Sequence, residues 1–275
     1  AGAAKVYSIE VSEMAEVERA IAGTSHFPNA NITVFHRAVE DMQGEVNPKV
    51  DVIVSEPFGE LLFHERMIES YLFARDHFLK PGGKMFPNAG ELHLAPFSDA
   101  AMHAQYHYLT VGSMGLADTE NSFWNNESFY GINLTGAAAF VPSAGPRHQV
   151  VLDAADPDGL LAEAQTRHFD FETVAMESLR RIDIPFNFEA RTGGLVHGIV
   201  GWFDALFVGT DTTVVLSTAP WCPLTHWWQV HFLMKEPLAV RAGDHIRGAL
   251  LMEAEDAHMS YRVRLEMAVA ETGAA

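Results

Sequence analysis

Apolar runs alternate with amphipathic stretches in the first third of the chain. Three short runs fit β-strands: residues 5–9, 32–36 and 50–55. The third, VDVIVS, is nearly continuous, as expected of a strand buried on both faces of a parallel sheet. After it, apolar residues recur every three or four positions over 64–80, which predicts a helix that the PGG triplet at 81–83 would end. This strand–helix order predicts a parallel, doubly wound α/β sheet over residues 1–86.

Residues 87–275 have a different pattern. Short β-rich segments punctuated by Gly, Pro and Asp are typical of an antiparallel barrel or sandwich. These segments are 90–97, 182–188, 194–206, 212–217, 227–234 and 245–252. A Gly/Ala/Pro-rich stretch at about 121–166, with a helical pattern only over 158–165, is interpreted as an excursion from the barrel. The sequence thus predicts two domains that meet near Phe86-Pro87.

Composition and charge narrow the possible functions. The chain is 48% apolar and 20% charged, which is enough to bury a core and too apolar for a disordered chain. Its 18 Lys and Arg against 36 Asp and Glu give a net charge of −18, which argues against direct nucleic-acid binding and favours basic partners. Its apolar runs fall far short of the ~20 residues that cross a bilayer, so no membrane association is expected. The single cysteine, Cys222, excludes an internal disulfide and a multi-cysteine zinc site, and we expect no metal.

Acidic residues stand at the ends of the three predicted strands. Glu10, Glu40 and Glu56 lie at or just after the carboxyl ends, where open parallel sheets bind ligands. They fit a nucleoside site, and the alternative is that they are solvated acids of an acidic protein. A ribose-binding acid normally follows a glycine-rich loop by ~20 residues, yet no G-x-G-x-x-G pattern occurs near Glu10. We therefore expect the chain to be a fragment that lacks the first strand–loop–helix unit.

The segment 55–71, SEPFGELLFHERMIESY, resembles the protein arginine methyltransferases, most closely their coactivator-associated, type I branch. Glu56 and Glu65 match the two glutamates of that family's double-E loop. Matches continue along nearly the whole chain: KVYSIEVS with its ribose acid, AVED on the adenine side, MFPNAGELHLAPFSD at the crossing into the barrel, FWNNESFYGINLT at the start of a dimerisation arm, and PLTHWWQV with the THW loop (Thr225, His226, Trp227). We expect the family's N-terminal helices to be missing from this chain, and Glu60 stands where close relatives usually have Tyr.

The resemblance implies an enzyme that uses S-adenosyl-L-methionine. Its fold would be an incomplete Rossmann-like class I methyltransferase domain followed by an antiparallel β-barrel domain, with a dimerisation arm at about 121–166. The product would be asymmetric dimethylarginine in histone tails or RNA-binding proteins, made by a head-to-tail homodimer in the nucleus and cytoplasm. In this family's pattern, Pro87 would follow a cis peptide bond.

The same resemblance implies the candidate site residues. Glu56 and Glu65 would hold the planar guanidinium of the substrate through charge-assisted hydrogen bonds, and His226 would fix a carboxylate or help the departing proton leave. Trp227 either walls the arginine channel, as a fourth substrate-binding residue, or is a barrel aromatic with a satisfied N–H. The cofactor-binding candidates are Glu10, Val39, Glu40, Glu56, Met67 and Ser70. Met67 would also shape the room for a second methyl group.

A second hypothesis comes from a different class of protein. A truncated relative would be a catalytically impaired module that dimerises or binds basic peptides through the acidic loop. Methylation of a small molecule is disfavoured, because that class lacks the barrel and the THW loop. Since the glycine-rich unit is missing, we expect this chain alone to bind the cofactor poorly and to turn over little.

Overall fold

The computed structural model describes residues 2–23, 31–111, 128, 130–133, 135 and 150–270, without the side chains of 107–111. Its first part contains two strand–helix–strand units. Strands β1 (Val6–Glu10) and β2 (Ile32–His36) pair in parallel and are joined through helix α1 (Met14–Ala22). Strands β3 (Val50–Val54) and β4 (Leu79–Phe86) also pair in parallel, and helix α2 (Met67–Phe78) lies between them in the chain. The predicted alternation of strands and helices is confirmed, although the sequence did not reveal β4.

The four parallel strands do not form one continuous sheet. Within the described ranges, β1 pairs with β2 alone and β3 with β4 alone, so each of these four strands has one edge without a partner. The expectation that β3 is buried on both faces is wrong, because Val52 and Val54 are 46% and 73% exposed. Ile9 of β1 and Ile53 of β3 nevertheless pack against one apolar cluster, which connects the two small sheets.

The helix predicted over 64–80 is shorter at both ends. Residues His64–Arg66 form a 3₁₀ turn in which Glu65 and Arg66 have positive φ angles of 66° and 57°. α2 begins only at Met67 and ends at Phe78. The PGG triplet lies inside β4 rather than in a loop. There, a Cβ atom on Gly83 would come within 2.9 Å of the Asp51 carbonyl of the paired strand, which explains a glycine within a strand.

Antiparallel strands make up most of the rest. They are β5 (Ala89–Phe97), β6 (Val150–Asp153), β7 (Gln165–Asp170), β8 (Arg181–Glu189), β9 (Gly194–Val208), β10 (Thr213–Ser217), β11 (Gln229–Val240), β12 (His245–Glu255) and β13 (Ser260–Ala270). One sheet has the order β6-β11-β9-β5-β7 with β10 beside β9, and a second has the order β13-β12-β8. The six predicted β segments are confirmed, with shifted ends. The sequence did not reveal β6, β7, β13 or helix α3 (Ala100–Val111).

The excursion is only partly visible in the described residues. Most of the predicted arm at about 121–166 lies outside them. The helical pattern over 158–165 is wrong, because Pro157–Gly159 form a 3₁₀ turn and β7 already starts at Gln165. The Phe86-Pro87 peptide bond is cis, as expected. The division of domains at that point stays a prediction. No helix among the described residues is long and apolar enough to span a bilayer.

The main core joins α2 to the antiparallel sheets. Ile68, Tyr71 and Leu72 of α2 are buried in the same cluster as aromatic side chains of β7, β8 and β9. The Tyr71 hydroxyl donates a buried hydrogen bond of 2.7 Å to the Pro87 carbonyl. Each large apolar side chain buried in this way contributes about 1.5–3 kcal/mol to folding. The segment before α2 is therefore fixed against the antiparallel sheets.

Candidate active site

The loop between β3 and α2 carries Glu56 at one end and Glu65 at the other. The middle of the loop is anchored in the main core, where the side chains of Phe58, Leu62 and Phe63 are nearly completely buried. Leu62 adopts a positive φ of 72°, and the Gly59–Leu62 bridge narrows the loop. Buried apolar anchors thus present both glutamates on a backbone that cannot readily move.

A close backbone approach makes Gly59 obligatory in this loop. A Cβ atom there would lie 2.0 Å from the His64 carbonyl oxygen, far inside van der Waals contact. The amide of His64 in turn donates to the Glu60 carbonyl at 3.1 Å. The loop folds back tightly on itself and brings its two ends together.

Electrostatics connect the three predicted catalytic residues. Glu56 is solvent-accessible, yet partial burial raises the pKa of its carboxyl group above the ordinary value. The Phe58 N–H and the charge of His226 oppose that rise in pKa, while the like charge of Glu65 adds to it. The structure therefore brings Glu56, Glu65 and His226 into one neighbourhood, with the last two also exposed to solvent.

A third carboxylate joins this neighbourhood. Glu60 lies 2.6 Å from Nδ1 of His64, and the ligating atoms of these two and of Glu65 all lie within 4.8 Å of one another. A cation that approaches Glu65 thus meets a second acid with a histidine partner. The sequence identified Glu60 as unusual, and the i,i+4 spacing of Glu60 and His64 was the signal that could have indicated their pairing.

Trp227 supports the loop from the side of the barrel. Its side chain is buried, its ring packs edge-on against Phe58, and its indole N–H donates to the Phe58 carbonyl at 3.1 Å. The ring of His226 lies 4.0 Å from that of Trp227. Of the two alternatives for Trp227, the structure supports the barrel aromatic with a satisfied N–H, because protein covers the ring that would have walled a channel.

The cofactor candidates form a second group at the parallel strands. The Ser70 hydroxyl donates to Glu40 at 2.6 Å, which connects α2 to the loop after β2. Val39 begins that loop's 3₁₀ turn and packs against the cluster shared by both small sheets. Glu10 ends β1 opposite His36 and accepts a 2.6 Å hydrogen bond from the Ser12 N–H. Hydrogen bonds from Ser12 hold the pKa of Glu10 below its usual value, so this acid stays an ionised acceptor.

One buried charged residue beside the site was missed. Arg66, directly after Glu65, is 5% exposed and makes ion pairs with Glu69 and Asp256. The spacing of Arg66 and Glu69 fits a helical i,i+3 pair and was available from the sequence. No sequence pattern connects Arg66 with Asp256, 190 residues away.

Comparison with known proteins decides the family. Residues 100–272 match the model of the arginine methyltransferase oligomerization subdomain. The chain is 43% identical over 270 residues to the probable histone-arginine methyltransferase CARM1 of Oryza sativa subsp. indica. It is 40% identical over 273 residues to the probable histone-arginine methyltransferase 1.3 of Arabidopsis thaliana. The chain belongs to the protein arginine methyltransferase family.

The extent of these matches matters for what they establish. Both alignments cover 97% of this chain, but 48% of the rice protein and 47% of the Arabidopsis protein. The chain therefore spans about half the length of the curated relatives it matches. Among solved structures, it is similar to protein arginine methyltransferase 10 of Arabidopsis thaliana, with a TM-score of 0.81, 26% identity and coverage of 99% of this chain and 80% of the other. This similarity confirms the fold class: a methyltransferase fold followed by an antiparallel β domain.

Proposed function

We propose that the protein is a type I protein arginine N-methyltransferase that uses S-adenosyl-L-methionine. The observation that carries this proposal is the convergence of Glu56, Glu65 and His226 on one tightly folded loop. Family membership supports the same reaction, since the similar rice and Arabidopsis proteins are named as probable histone-arginine methyltransferases. The substrates would be arginine residues of histone tails, in the nucleus, or of RNA-binding proteins there and in the cytoplasm. The acidic charge of the chain would help to attract such basic segments.

The two glutamates would prepare the guanidinium for attack. An arginine side chain stays protonated in proteins and has no free lone pair. Glu56 and Glu65 would accept hydrogen bonds from two of its nitrogens and draw the positive charge toward them, leaving the third nitrogen more nucleophilic. Holding that nitrogen in line with the methyl group would add to this effect, since orientation contributes up to ~7–11 kcal/mol. His226, by attracting the charge of Glu56, would keep that carboxylate ionised.

The residues at the strand ends fit the cofactor. When bound, S-adenosylmethionine supplies an electrophilic methyl group on a sulfonium. Glu10 would accept hydrogen bonds from the ribose hydroxyls, and Glu40, steadied by Ser70, would lie on the adenine side together with the apolar Val39. Met67, the first residue of α2, would shape the space beside the reacting nitrogen so that a second methyl group fits on the same atom.

We further infer that the cofactor site is completed by a glycine-rich strand–loop–helix. The support is that β1 and β3 each have an edge without a partner strand among the described residues, and that Val52 and Val54 of β3 are exposed. A parallel strand between them would cover those valines, and its loop would supply backbone N–H groups to the cofactor. The chain with such a unit at its N-terminus is expected to transfer methyl groups much faster than the chain alone.

Labelled-methyl transfer tests the proposed reaction. A histone-tail peptide that contains arginine should accept label, whereas its lysine counterpart should not, and mass spectrometry of the product should find both methyl groups on one nitrogen. Glu65→Gln should lower the rate by about 100-fold or more, because it removes one of the two charges that hold the guanidinium. If the extended protein binds the peptide but transfers no label, the non-catalytic module is the better description.

The proposed homodimer rests on a separate surface. The matched oligomerization subdomain supports association of copies, and α1 presents Met14, Val17 and Ile21 as an exposed apolar stripe at helical spacing. We propose that the arm of a second copy covers this stripe. Val17→Asp should convert the dimer to a monomer in analytical ultracentrifugation, whereas Arg19→Asp, on another face of α1, should not.

A further inference from the structure

The residues at the end of the double-E loop have an unusual backbone. Glu65 and Arg66 are consecutive non-glycine residues with positive φ, at 66° and 57°. L-amino acids disfavour this left-handed region, and single residues stay there only where surrounding contacts hold them. The position of the Glu65 carboxylate therefore depends on whatever fixes the backbone on either side of it.

On one side, the contact is apolar. Phe63 is 1% exposed, and its ring packs edge-on against Phe169 of β7 at 4.7 Å between ring centres. The Phe63 carbonyl also accepts the amide of Arg66 at 3.0 Å, which closes the turn around Glu65. The N-terminal side of the turn is thus anchored in the main core.

On the other side, the contact is ionic. The guanidinium of Arg66 donates from Nε and Nη2 to the two carboxylate oxygens of Glu69, each at 2.7 Å. Its remaining nitrogen, Nη1, donates to Oδ1 of Asp256 at 2.7 Å. Glu69 belongs to α2, while Asp256 begins the 3₁₀ turn between β12 and β13. Arg66 therefore connects the start of α2 to the barrel.

This connection has little freedom. The Arg66 side chain is nearly fully buried, so breaking its contact with Asp256 would leave guanidinium N–H groups without an acceptor. Hydrogen bonds from Arg180 and Arg66 hold the pKa of Asp256 well below its usual range, so the acid stays ionised at physiological pH. Arg180 also donates two hydrogen bonds to Asp256, at 2.7 and 3.0 Å. Among the described residues, no hydrogen bond joins Arg180 to Arg66.

We propose that Asp256 is a positioning residue that fixes the Glu65 carboxylate through Arg66. This inference rests on the proposed methyltransferase function, in which Glu65 must hold one edge of the guanidinium. It assigns part of the geometry of the site to a barrel residue far from it in sequence. A small displacement of Glu65 would tilt the substrate away from the in-line arrangement.

Kinetics of matched variants test the proposal. In the natural protein, with any flanking sequence retained, Asp256→Asn should lower kcat about tenfold, because a misplacement near 1 Å costs up to ~100-fold. The dissociation constant for the cofactor should not change. Asp256→Glu, which keeps the charge, should restore most of the rate. Two variants serve as controls. Arg180→Gln removes the other partner of Asp256, and Glu253→Gln removes a nearby acid that pairs with the exposed Arg181.

A second measurement does not depend on catalysis. Hydrogen exchange at the amides of His64 and Arg66 should be at least about tenfold faster in Asp256→Asn than in Arg180→Gln, if Asp256 holds the turn. Equal exchange and equal kcat in these two variants would overturn the inference. A wild-type protein that methylates no arginine peptide would instead refute the proposed function, and the exchange measurement would still decide whether Asp256 fixes the loop.

Discussion

Opposing interactions with the surroundings set the pKa of the Glu56 carboxyl group. Partial burial and Glu65 raise the pKa of this carboxyl group, and the positive charge of His226 lowers it. In the proposed function this carboxylate must be ionised to bind a guanidinium, so activity should fall as the pH falls through this raised pKa. His226 would therefore extend the active range toward lower pH.

Replacement of His226 tests this balance. His226→Gln should move the acidic limb of kcat/KM to higher pH, because the pKa of Glu56 rises when the attraction is lost. The plateau at higher pH should change much less, because Glu56 is ionised there with or without His226. The exposed His258, replaced by Gln, should change neither. An unchanged acidic limb in His226→Gln would show that the histidine does not control Glu56.

Replacement of Gly59 tests whether methyl transfer depends on the backbone shape of the loop independently of the charges that the loop carries. In Gly59→Ala, the new methyl group must displace the His64 carbonyl, so the 64–66 turn and Glu65 should shift. We expect destabilisation of about 1–3 kcal/mol by chemical denaturation and a loss of most methyl transfer. Gly194→Ala is a suitable control, since a Cβ there meets its nearest neighbour at an ordinary 3.7 Å.

Among the secondary-structure elements, α3 is held at its start by a neutral histidine. The Asp99 carboxylate accepts the amide of Met102 at 2.7 Å, and the Asp99 amide donates to Nδ1 of His197 at 3.1 Å. Burial, with a smaller contribution from His103, lowers the pKa of His197 below 6.5. A protonated Nδ1 could no longer accept the Asp99 amide, so the contact requires the neutral ring.

Stability should consequently decrease in acid. Below pH 6.5 the unfolded chain binds protons at His197 that the folded chain excludes, and the same holds for the buried His231 of β11. Thermal melting should therefore move roughly 3–6 °C lower between pH 7 and pH 5.5. His197→Asn, which keeps an acceptor but cannot titrate, should reduce this pH dependence. Equal slopes in the variant and the wild type would contradict the assignment.

Whole-molecule charge gives a prediction of its own. With a net charge of −18, long-range attraction should speed the encounter with arginine-rich peptides. Because the screening length falls from ~30 Å at 0.01 M salt to ~10 Å at 0.1 M, the association rate should drop by about tenfold or more over that range. Stopped-flow binding of a histone-tail peptide measures this rate, and a neutral peptide of equal length is the control. A salt-independent rate would contradict the prediction.

The sequence predicted more of the fold than of the contacts within the site. The alternation of strands and helices and the antiparallel second part followed from periodicity, and the two glutamates followed from the motif that resembles the family, because those signals are local. The turn at Glu65 and Arg66 was missed, since its helix-like spacing conceals two residues with positive φ. The Glu60–His64 pair is local, with i,i+4 spacing, and was overlooked, whereas the Arg66–Asp256 pair joins residues 190 positions apart and is set by tertiary packing.

The open flanks of β1 and β3 have a consequence for handling the protein. In the part of the chain that the structure describes, these strand edges leave backbone donors and acceptors unpaired beside exposed valines, and such an edge is a template for edge-to-edge aggregation. Preparations of this chain on its own should therefore be prone to precipitate as concentration rises. The yield of soluble protein on purification and storage would then indicate whether a further strand occupies the space between β1 and β3.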